Sequence, residues 1–327
     1  MFSRRRDARP GADPSRVAIF AVLASVATIP LAACTAGEAP PGPTPSATAP
    51  DAVTAPQGVP SPTSEVTVQQ TAAEGFRGTY AVPVGLSADD PRPAVLAFGG
   101  SEGGPQTGHM VAEAIASLGY PALGIGYFKG VDQPSTLEEA PVETFLDALD
   151  WLREQPGVDQ DAVLAFGVSR GGEMALWLAA NRPELVHGAI APVGADAVMC
   201  GLPDFSRSAW SLDGEPLPCS SDVHAQTAVS PEARIPLEVI DGPVVLACGT
   251  EDDVWDSCAF LRRAERSLAD RDAGTAVAIR GDGASHHVAT PPWLDQPWGD
   301  PDTETADLDV RRQLWTAVDE VLASLDS

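Results

Sequence analysis

A serine between two glycines is the first candidate for chemistry in this sequence. Ser169 lies in the stretch LAFGVSRGGEMAL, where Gly167 and Gly171 complete a G-x-S-x-G pattern. A serine hydroxyl is too weakly acidic to attack a carbonyl carbon unaided, so it needs a histidine as base and a carboxylate that orients the histidine. Because so short a pattern also arises by chance, the serine is a credible nucleophile only if the sequence supplies both partners.

Suitable partners follow the serine in the order that this chemistry requires. Asp252 and Asp253 come directly after the apolar run PVVLACG, and His286 and His287 follow the next apolar run, TAVAI. Loops at the carboxyl ends of parallel strands lie at one edge of a sheet, and the order serine, acid, histidine is typical of the α/β-hydrolase fold. The sequence therefore predicts a Ser-His-Asp triad, with one acid and one histidine to be chosen from each pair.

The elements that would hold the triad are visible as an alternation of short apolar runs with amphipathic runs from Ala94 onward. This alternation is typical of a mainly parallel sheet with helices on both faces, so the predicted fold class is α/β, an α/β-hydrolase fold. We expect strands over residues 94–98, 121–128, 162–167, 187–193, 243–249 and 275–279. We expect helices over about 110–119, 141–155, 171–181, 256–271 and 307–325.

Backbone N–H groups near the serine are expected to stabilise an oxyanion. One donor should be the N–H of Arg170, the residue after the nucleophile, at the start of the following helix. The second should come from the glycine-rich turn FGGSEGG after the first of these strands, with Ser101 or Glu102 as the candidates. The turn lacks the lysine and the spacing of a phosphate-binding loop, so a nucleotide site is disfavoured.

Four cysteines lie in the part of the chain that we expect to fold: Cys200, Cys219, Cys248 and Cys258. They allow three pairings, and closeness in sequence favours Cys200 with Cys219 and Cys248 with Cys258. The first pair lies in residues 195–241, a stretch rich in Pro, Ser and Asp that is too long for a simple connection and predicts a lid-like insertion. No C-x-x-C pair or histidine stands at ligand spacing, so we expect neither a metal site nor a cofactor.

The amino-terminal part of the chain predicts export and membrane attachment. Residues 1–33 combine a basic start with a short apolar run, which predicts a signal peptide. The sequence LAAC at its end resembles a bacterial lipobox, which implies a lipidated Cys34, attachment to the membrane and an extracytoplasmic location. An ordinary secretory signal and an uncleaved anchor are the alternatives.

Residues 34–64 are nearly all Pro, Ala, Thr, Ser and Gly and predict an extended tether, which leaves 65–327 for the catalytic domain.

Acidic residues far outnumber basic ones, with 46 Asp and Glu against 20 Lys and Arg and a net charge of −26. Such a surface repels phosphate backbones, so nucleic acid is excluded as a partner. Six acidic residues occupy loops that we expect at the mouth of the site: Glu102, Glu138, Glu139, Glu251, Asp253 and Asp256. These carboxylates should disfavour the phosphates of CoA unless Arg170 or Arg207 offsets them, and should favour uncharged or cationic esters.

Segments well beyond the serine pattern carry a resemblance to a known family. YPALGIGYFKGVDQPSTLEEAPVETFLDALDWLREQPGV, FGVSRGGEMAL, WSLDGEPLP, IPLEV and GTEDDVW are similar to the carboxyl-terminal domain of the acyl-CoA thioesterase and bile acid-CoA:amino acid N-acyltransferase family. The resemblance runs over about 90–325 and implies that Ser169 is the nucleophile. The family has serine there in thioesterases and cysteine in the transferase, which implies acyl transfer to water. We expect two departures from the family, which are the lack of the amino-terminal β-sandwich of the eukaryotic members, because only about 30 residues separate the predicted tether from the first predicted strand, and Arg170 in place of lysine.

The resemblance also helps to choose between the two adjacent acids and between the two adjacent histidines. It implies Asp252 as the acid, three residues after Gly249, with Asp253 as a solvated neighbour. For the base, GASH is similar to the G-x-x-H ending of many hydrolases and indicates His286, whereas the distance to the following Pro-Pro pair indicates His287. We favour His286 and keep His287 as the alternative.

The combined expectation is a lipid-anchored serine hydrolase that cleaves a small carboxylic ester or thioester through an acyl-enzyme. A non-catalytic binding lipoprotein on the same fold is the alternative from another class, and it is disfavoured because all three triad residue types are present. A serine amidase or peptidase is a second alternative, because amide hydrolysis uses the same triad.

Overall fold

A computed structural model describes residues 58–225, 229–271, 273–296 and 299–326. The predicted signal peptide, Cys34 and most of the predicted tether lie outside the described residues. The strands are β1 (Val66–Ala73), β2 (Phe76–Pro83), β3 (Arg92–Phe98), β4 (Ala122–Ile125), β5 (Ala140–Pro141), β6 (Val158–Gly167), β7 (Gly188–Pro192), β8 (Trp210–Leu212), β9 (Glu215–Pro216), β10 (Val244–Gly249) and β11 (Ala276–Gly281). The helices are α1 (Gln106–Ser117), α2 (Glu143–Arg153), α3 (Arg170–Asn181), α4 (Ser257–Leu268) and α5 (Glu304–Leu325).

One large sheet places the candidate loops side by side. Its strand order is β1-β2-β4-β3-β6-β7-β10-β11, in which β1 and β2 are antiparallel to their neighbours and the other strands are parallel. The register pairs Phe98 with Gly167 and Gly249 with Gly281, so β3 ends level with β6 and β10 ends level with β11. The loops after these strands therefore leave one edge of the sheet, and the predicted α/β-hydrolase fold is confirmed.

Side chains of the parallel strands alternate between two cores, because successive residues of a strand point to opposite faces. Leu96 and Phe98 of β3 share a buried cluster with apolar residues of α2, α3 and α4. Val95 and Ala97 share another with residues of α1 and α5. Helices thus cover both faces of the sheet, as the sequence predicted. Of the helices in the described ranges, none has the length and apolar character needed to cross a membrane.

Several elements differ from the sequence prediction. The hairpin of β1 and β2 was not predicted, because most β1 side chains are exposed and the run lacks the apolar character of the buried strands. Helices α1 and α5 begin at Gln106 and Glu304, three or four residues before the predicted starts, because their first turns are polar. Strand β4 ends at Ile125 rather than at residue 128.

The predicted insertion, residues 195–241, folds against the main core. It contains β8, β9 and a short 3-10 helix, and β8 pairs with β5 to form a small three-stranded sheet with β9. Trp210 of β8 is fully buried in the cluster that contains α2 and α3. The disulfides are Cys200–Cys219 and Cys248–Cys258, the two pairs that closeness in sequence favoured.

Candidate active site

Ser169 lies in a sharp turn between β6 and α3. Its backbone has a φ of 56° and a ψ of −116°, a conformation that residues with a side chain rarely adopt. A Cβ at Gly167 would collide with the carbonyl of Gly171, and one at Gly171 would collide with the carbonyl of Gly99. The two glycines are therefore a steric requirement of the turn, which holds Ser169 at the amino terminus of α3.

Asp252 and His286 are joined by a hydrogen bond of 2.8 Å between the carboxylate Oδ2 and the imidazole Nδ1. Their side chains are 1% and 12% exposed. The other carboxylate oxygen, Oδ1, accepts hydrogen bonds from the backbone N–H groups of Val254 at 3.0 Å and Trp255 at 3.2 Å. When Nδ1 of His286 donates to this fixed carboxylate, Nε2 is left as an acceptor, which is the tautomer that a general base needs.

Ser169 and His286 line one cavity of about 520 Å³. Ser101 and Glu102, the two candidates for the second oxyanion donor, line the same cavity. Apolar side chains such as Val254 complete its wall. No hydrogen bond joins Ser169 to His286 within the described residues, and such catalytic contacts often tighten only when substrate binds. The cavity therefore brings together the side chains that the sequence predicted as nucleophile and base.

His287, the alternative base, lies beside His286 with the ring centroids 6.3 Å apart. It lines the same cavity, but its backbone N–H donates to Ser285 Oγ at 3.1 Å and the bond to Asp252 is made by His286. Asp253 is exposed beside the buried Asp252 carboxylate. Of the possible pairs, Asp252 with His286 thus has the geometry that the chemistry requires.

Asp307, which the sequence analysis did not single out, holds the loop that carries His286. It is buried in the first turn of α5, and its two oxygens accept hydrogen bonds from Ser285 N at 2.6 Å and Ser285 Oγ at 2.8 Å. A carboxylate in the first turn of a helix is a common favourable placement, so the sequence offered no signal that this one also fixes a loop.

Buried and charged side chains hold the turn after β3. Tyr127 Oη donates a hydrogen bond to the carbonyl of Gly100 at 3.0 Å, and burial raises the pKa of Tyr127 well above its ordinary value, which keeps the hydroxyl protonated. Lys129 Nζ donates to the carbonyl of Glu102 at 3.1 Å. The Glu102 carboxylate accepts from the N–H of Gly100 at 3.0 Å. Because that N–H is engaged, the predicted donor positions, Ser101 and Glu102, remain the candidates in this turn.

The comparison with protein families agrees with the resemblance read from the sequence. Residues 140–294 match the family model described as BAAT / Acyl-CoA thioester hydrolase C terminal. The matched segment, which is just under half of the chain, is similar to this domain. Acyl-coenzyme A thioesterase 2, mitochondrial, of Rattus norvegicus is 24% identical over 189 residues, which are 55% of this chain and 42% of the rat protein. Acyl-coenzyme A amino acid N-acyltransferase 2 of Rattus norvegicus is 25% identical over 231 residues, 66% of this chain and 53% of the relative. The chain thus spans about half the length of the curated relatives it matches.

Solved structures show the same fold at low sequence identity. The dienelactone hydrolase-like promiscuous phosphotriesterase P91 from metagenomic libraries has a TM-score of 0.51 and 18% identity, over 80% of this chain and 98% of that chain. A bacterial heroin esterase has a TM-score of 0.52 and 16% identity, over 79% of this chain and 84% of that chain. At this level of sequence identity, the similarity to these structures shows the fold alone.

Arg170, at the family's lysine position, connects the serine helix to the insertion. Its guanidinium Nη2 donates to the carbonyl of Cys200 at 2.9 Å and to Glu173 Oε1 at 3.2 Å. Trp210 Nε1 donates to the same carboxylate oxygen at 2.6 Å. Glu173 is fully buried, and burial raises its pKa. Sequence reasoning missed Glu173 and Trp210, because only the path of the insertion brings them together.

Three of the six acidic residues expected at the mouth of the site are engaged by neighbouring groups. Glu138 and Glu139 form ion pairs of 2.7 and 3.0 Å with Arg207, and the Asp256 carboxylate caps α4. Arg170 is buried, so neither arginine is left to offset charge at the cavity.

The remaining carboxylates lie at or beside the cavity. Glu102 lines the cavity with Ser169, and Glu251 and Asp253 line an adjacent cavity of about 870 Å³ together with Asp300 and Asp302. His287 lines both cavities. Neither cavity is lined by a lysine or arginine among the described residues, and the cation placed beside the Glu102 turn is Lys129.

Proposed function

We propose that the chain is a serine acyl hydrolase that cleaves carboxylic esters or thioesters through an acyl-enzyme. The observation that carries the proposal is the 2.8 Å hydrogen bond between Asp252 and His286, beside a cavity that His286 shares with Ser169. The printed names of the related thioesterases support acyl transfer to water as the reaction class.

In the proposed reaction, Ser169 Oγ attacks the carbonyl carbon while His286 Nε2 accepts the hydroxyl proton. The N–H of Arg170 and an N–H from the turn after β3 bind the oxyanion of the tetrahedral intermediate. His286 returns the proton to the leaving oxygen or sulfur, and the acyl group stays on Ser169. Water, deprotonated by the same imidazole, then attacks the acyl-enzyme. The bond from Ser169 Oγ to the acyl carbon breaks, the imidazolium returns the proton to Oγ, and the acid is released. Asp252 holds the imidazole in the required tautomer and stabilises the imidazolium.

We propose uncharged or cationic carboxylic esters as better substrates than acyl-CoA. The carboxylate of Glu102 at the cavity and the acidic residues of the adjacent cavity repel phosphate groups. Arg207, which could have offset them, is paired with Glu138 and Glu139. The proposed substrate class therefore differs from that of the thioesterase relatives.

The proposed location is extracytoplasmic, with the domain attached to the membrane through a lipidated Cys34. The LAAC sequence and the basic and apolar segments before it support this location. Two disulfides in the described part of the chain are compatible with an oxidising compartment.

Labelling with a fluorophosphonate probe tests the proposed nucleophile against the non-catalytic alternative. The probe reacts with serines that an adjacent base activates, so we expect labelling of the wild type and none of Ser169→Ala. Ser221→Ala, which removes an exposed serine of the insertion, is the matched control and should be labelled like the wild type. An unlabelled wild type would support a binding protein, and labelled Ser169→Ala would place the nucleophile elsewhere.

A further inference from the structure

One of the two disulfides encloses the loop that carries Asp252. Cys248 lies in β10 and Cys258 lies in the first turn of α4, with a sequence separation of 10. Both residues are buried, at 0% and 5% exposure. The disulfide therefore closes a short ring of chain, and Asp252 lies near its middle.

The two ends of this ring are held differently. At the β10 end, the backbone N–H of Thr250 donates to Gly281 O at 2.9 Å and that of Glu251 donates to Ala284 O at 2.8 Å, so the loop begins in register with the chain that leads to His286. At the α4 end, the backbone N–H of Asp256 donates to Val223 O of the insertion at 3.2 Å, and no strand register links this end to β10 within the described residues. The disulfide ties Cys258 directly back to β10.

Between these ends, Asp252 depends on residues at the α4 side of the ring. Its Oδ1 accepts from the N–H groups of Val254 and Trp255, so a displacement of that side moves the carboxylate. Val254 is 53% exposed and offers little packing. Trp255 is buried in a small apolar cluster that contains Phe260, and its Nε1 donates to Val193 O at 2.9 Å. Its ring also packs edge-on against His286. The disulfide adds a covalent tie to these contacts.

We propose that the Cys248–Cys258 disulfide positions the triad, by holding the Asp252 carboxylate at hydrogen-bond distance from His286. This inference rests on the proposed function and adds a positioning pair to it. The other disulfide, Cys200–Cys219, closes a loop of the insertion that contains none of the triad residues.

A stabilising role and a positioning role predict different results when each disulfide is removed. The chain-entropy account gives the larger stabilisation to the longer ring, which is Cys200–Cys219 with a separation of 19 against 10. A purely structural role therefore predicts the larger loss of melting temperature on removal of Cys200–Cys219. A positioning role predicts that removal of Cys248–Cys258 has the larger effect on kcat.

The test compares Cys248→Ala/Cys258→Ala with Cys200→Ala/Cys219→Ala, each in the wild-type and Asp252→Asn backgrounds. The assay is kcat and KM with a short p-nitrophenyl ester. In the wild-type background we expect the 248/258 pair to lower kcat by about ten- to a hundredfold, the scale of a small misplacement of a catalytic group, with KM within about twofold. In the Asp252→Asn background the same pair should change kcat by less than about twofold, because the residue it positions no longer supports the base.

Equal losses in both backgrounds, or no loss in either, would overturn the inference. Replacement of Cys200 and Cys219 should lower kcat by the same factor with and without Asp252→Asn. A loss that depends on the background for this pair would also contradict the inference.

If the alanine pair does not fold, Cys248→Val/Cys258→Ala fills the strand position with a β-branched side chain and serves in the same comparison. A wild type with no Ser169-dependent turnover would overturn the proposed function, whereas an active wild type with equal losses would overturn the positioning role alone.

Discussion

Asp252→Asn is expected to inactivate the protein by reversing the tautomer of His286. In the wild type, Asp252 Oδ1 accepts hydrogen bonds from the N–H groups of Val254 and Trp255, and Oδ2 faces His286 Nδ1. The same two N–H groups will hold the amide oxygen of an asparagine, so its NH₂ group must face Nδ1. Nδ1 then becomes the acceptor and Nε2 carries the proton, which leaves no base for Ser169.

The size of the effect follows from this geometry. In serine proteases the wrong imidazole tautomer lowers kcat by about four orders of magnitude, which is about 5.4 kcal/mol at 1.36 kcal/mol per tenfold. KM should change little, because the Asp252 side chain is 1% exposed and does not line the cavity. The melting temperature should stay near that of the wild type, since the two side chains have the same shape.

The assay is steady-state hydrolysis of a short p-nitrophenyl ester, with thermal unfolding of each variant as the folding control. Asp253→Asn is the matched substitution in the exposed neighbour and should leave kcat within about twofold. The reasoning is refuted if Asp252→Asn keeps kcat within tenfold of the wild type, or if Asp253→Asn loses as much.

Four other perturbations have distinct expected outcomes. With a p-nitrophenyl ester and an acyl-CoA of equal chain length, kcat/KM should favour the ester at low salt. Added salt should raise the acyl-CoA value, because the Debye length falls from about 30 Å at 0.01 M to about 3 Å at 1 M; a preference for acyl-CoA at low salt would contradict this. His286→Ala should abolish nearly all turnover while His287→Ala retains most of it, and the reverse result would make His287 the base. Burial raises the pKa of Glu173, so its contribution to stability falls as the pH rises above 4.5, and the melting temperature of Glu173→Gln should fall less steeply over that range. Equal slopes for the wild type and that variant would argue against a buried carboxyl with a raised pKa. Cys34→Ser should release the protein from the membrane fraction without changing kcat, and a variant that remains in that fraction would contradict lipidation at Cys34.

The loops of the site were predictable because their positions follow from local rules. Apolar runs ending at Gly167 and Gly249 mark buried parallel strands, and parallel strands expose their carboxyl ends at one edge. Gly167 and Gly171 are needed beside Ser169 because backbone carbonyl groups leave no room there for a Cβ, so the glycine pattern predicts the turn. The fold class and the family followed from these features and from the segments that resemble the family.

Contacts between distant segments could not be predicted in this way. The Glu173–Trp210 bond depends on the path of a long insertion, and the engagement of Arg207 by Glu138 and Glu139 depends on where that insertion packs. The hairpin of β1 and β2 was missed because an exposed edge strand has little apolar pattern. The sequence patterns favoured His286 but kept His287 as an alternative, and the structure gives the hydrogen bond to Asp252 to His286.

The most direct measurement of the central claim is the mass of the protein during turnover. A reaction with a p-nitrophenyl ester is stopped by acid within the first turnovers, and the intact protein and its peptides are weighed. We predict a burst of p-nitrophenol with an amplitude near one per protein, and an added mass equal to the acyl group less one hydrogen on the peptide that contains Ser169. An adduct on another residue, or turnover with neither burst nor adduct together with full activity of Ser169→Ala, would contradict the account.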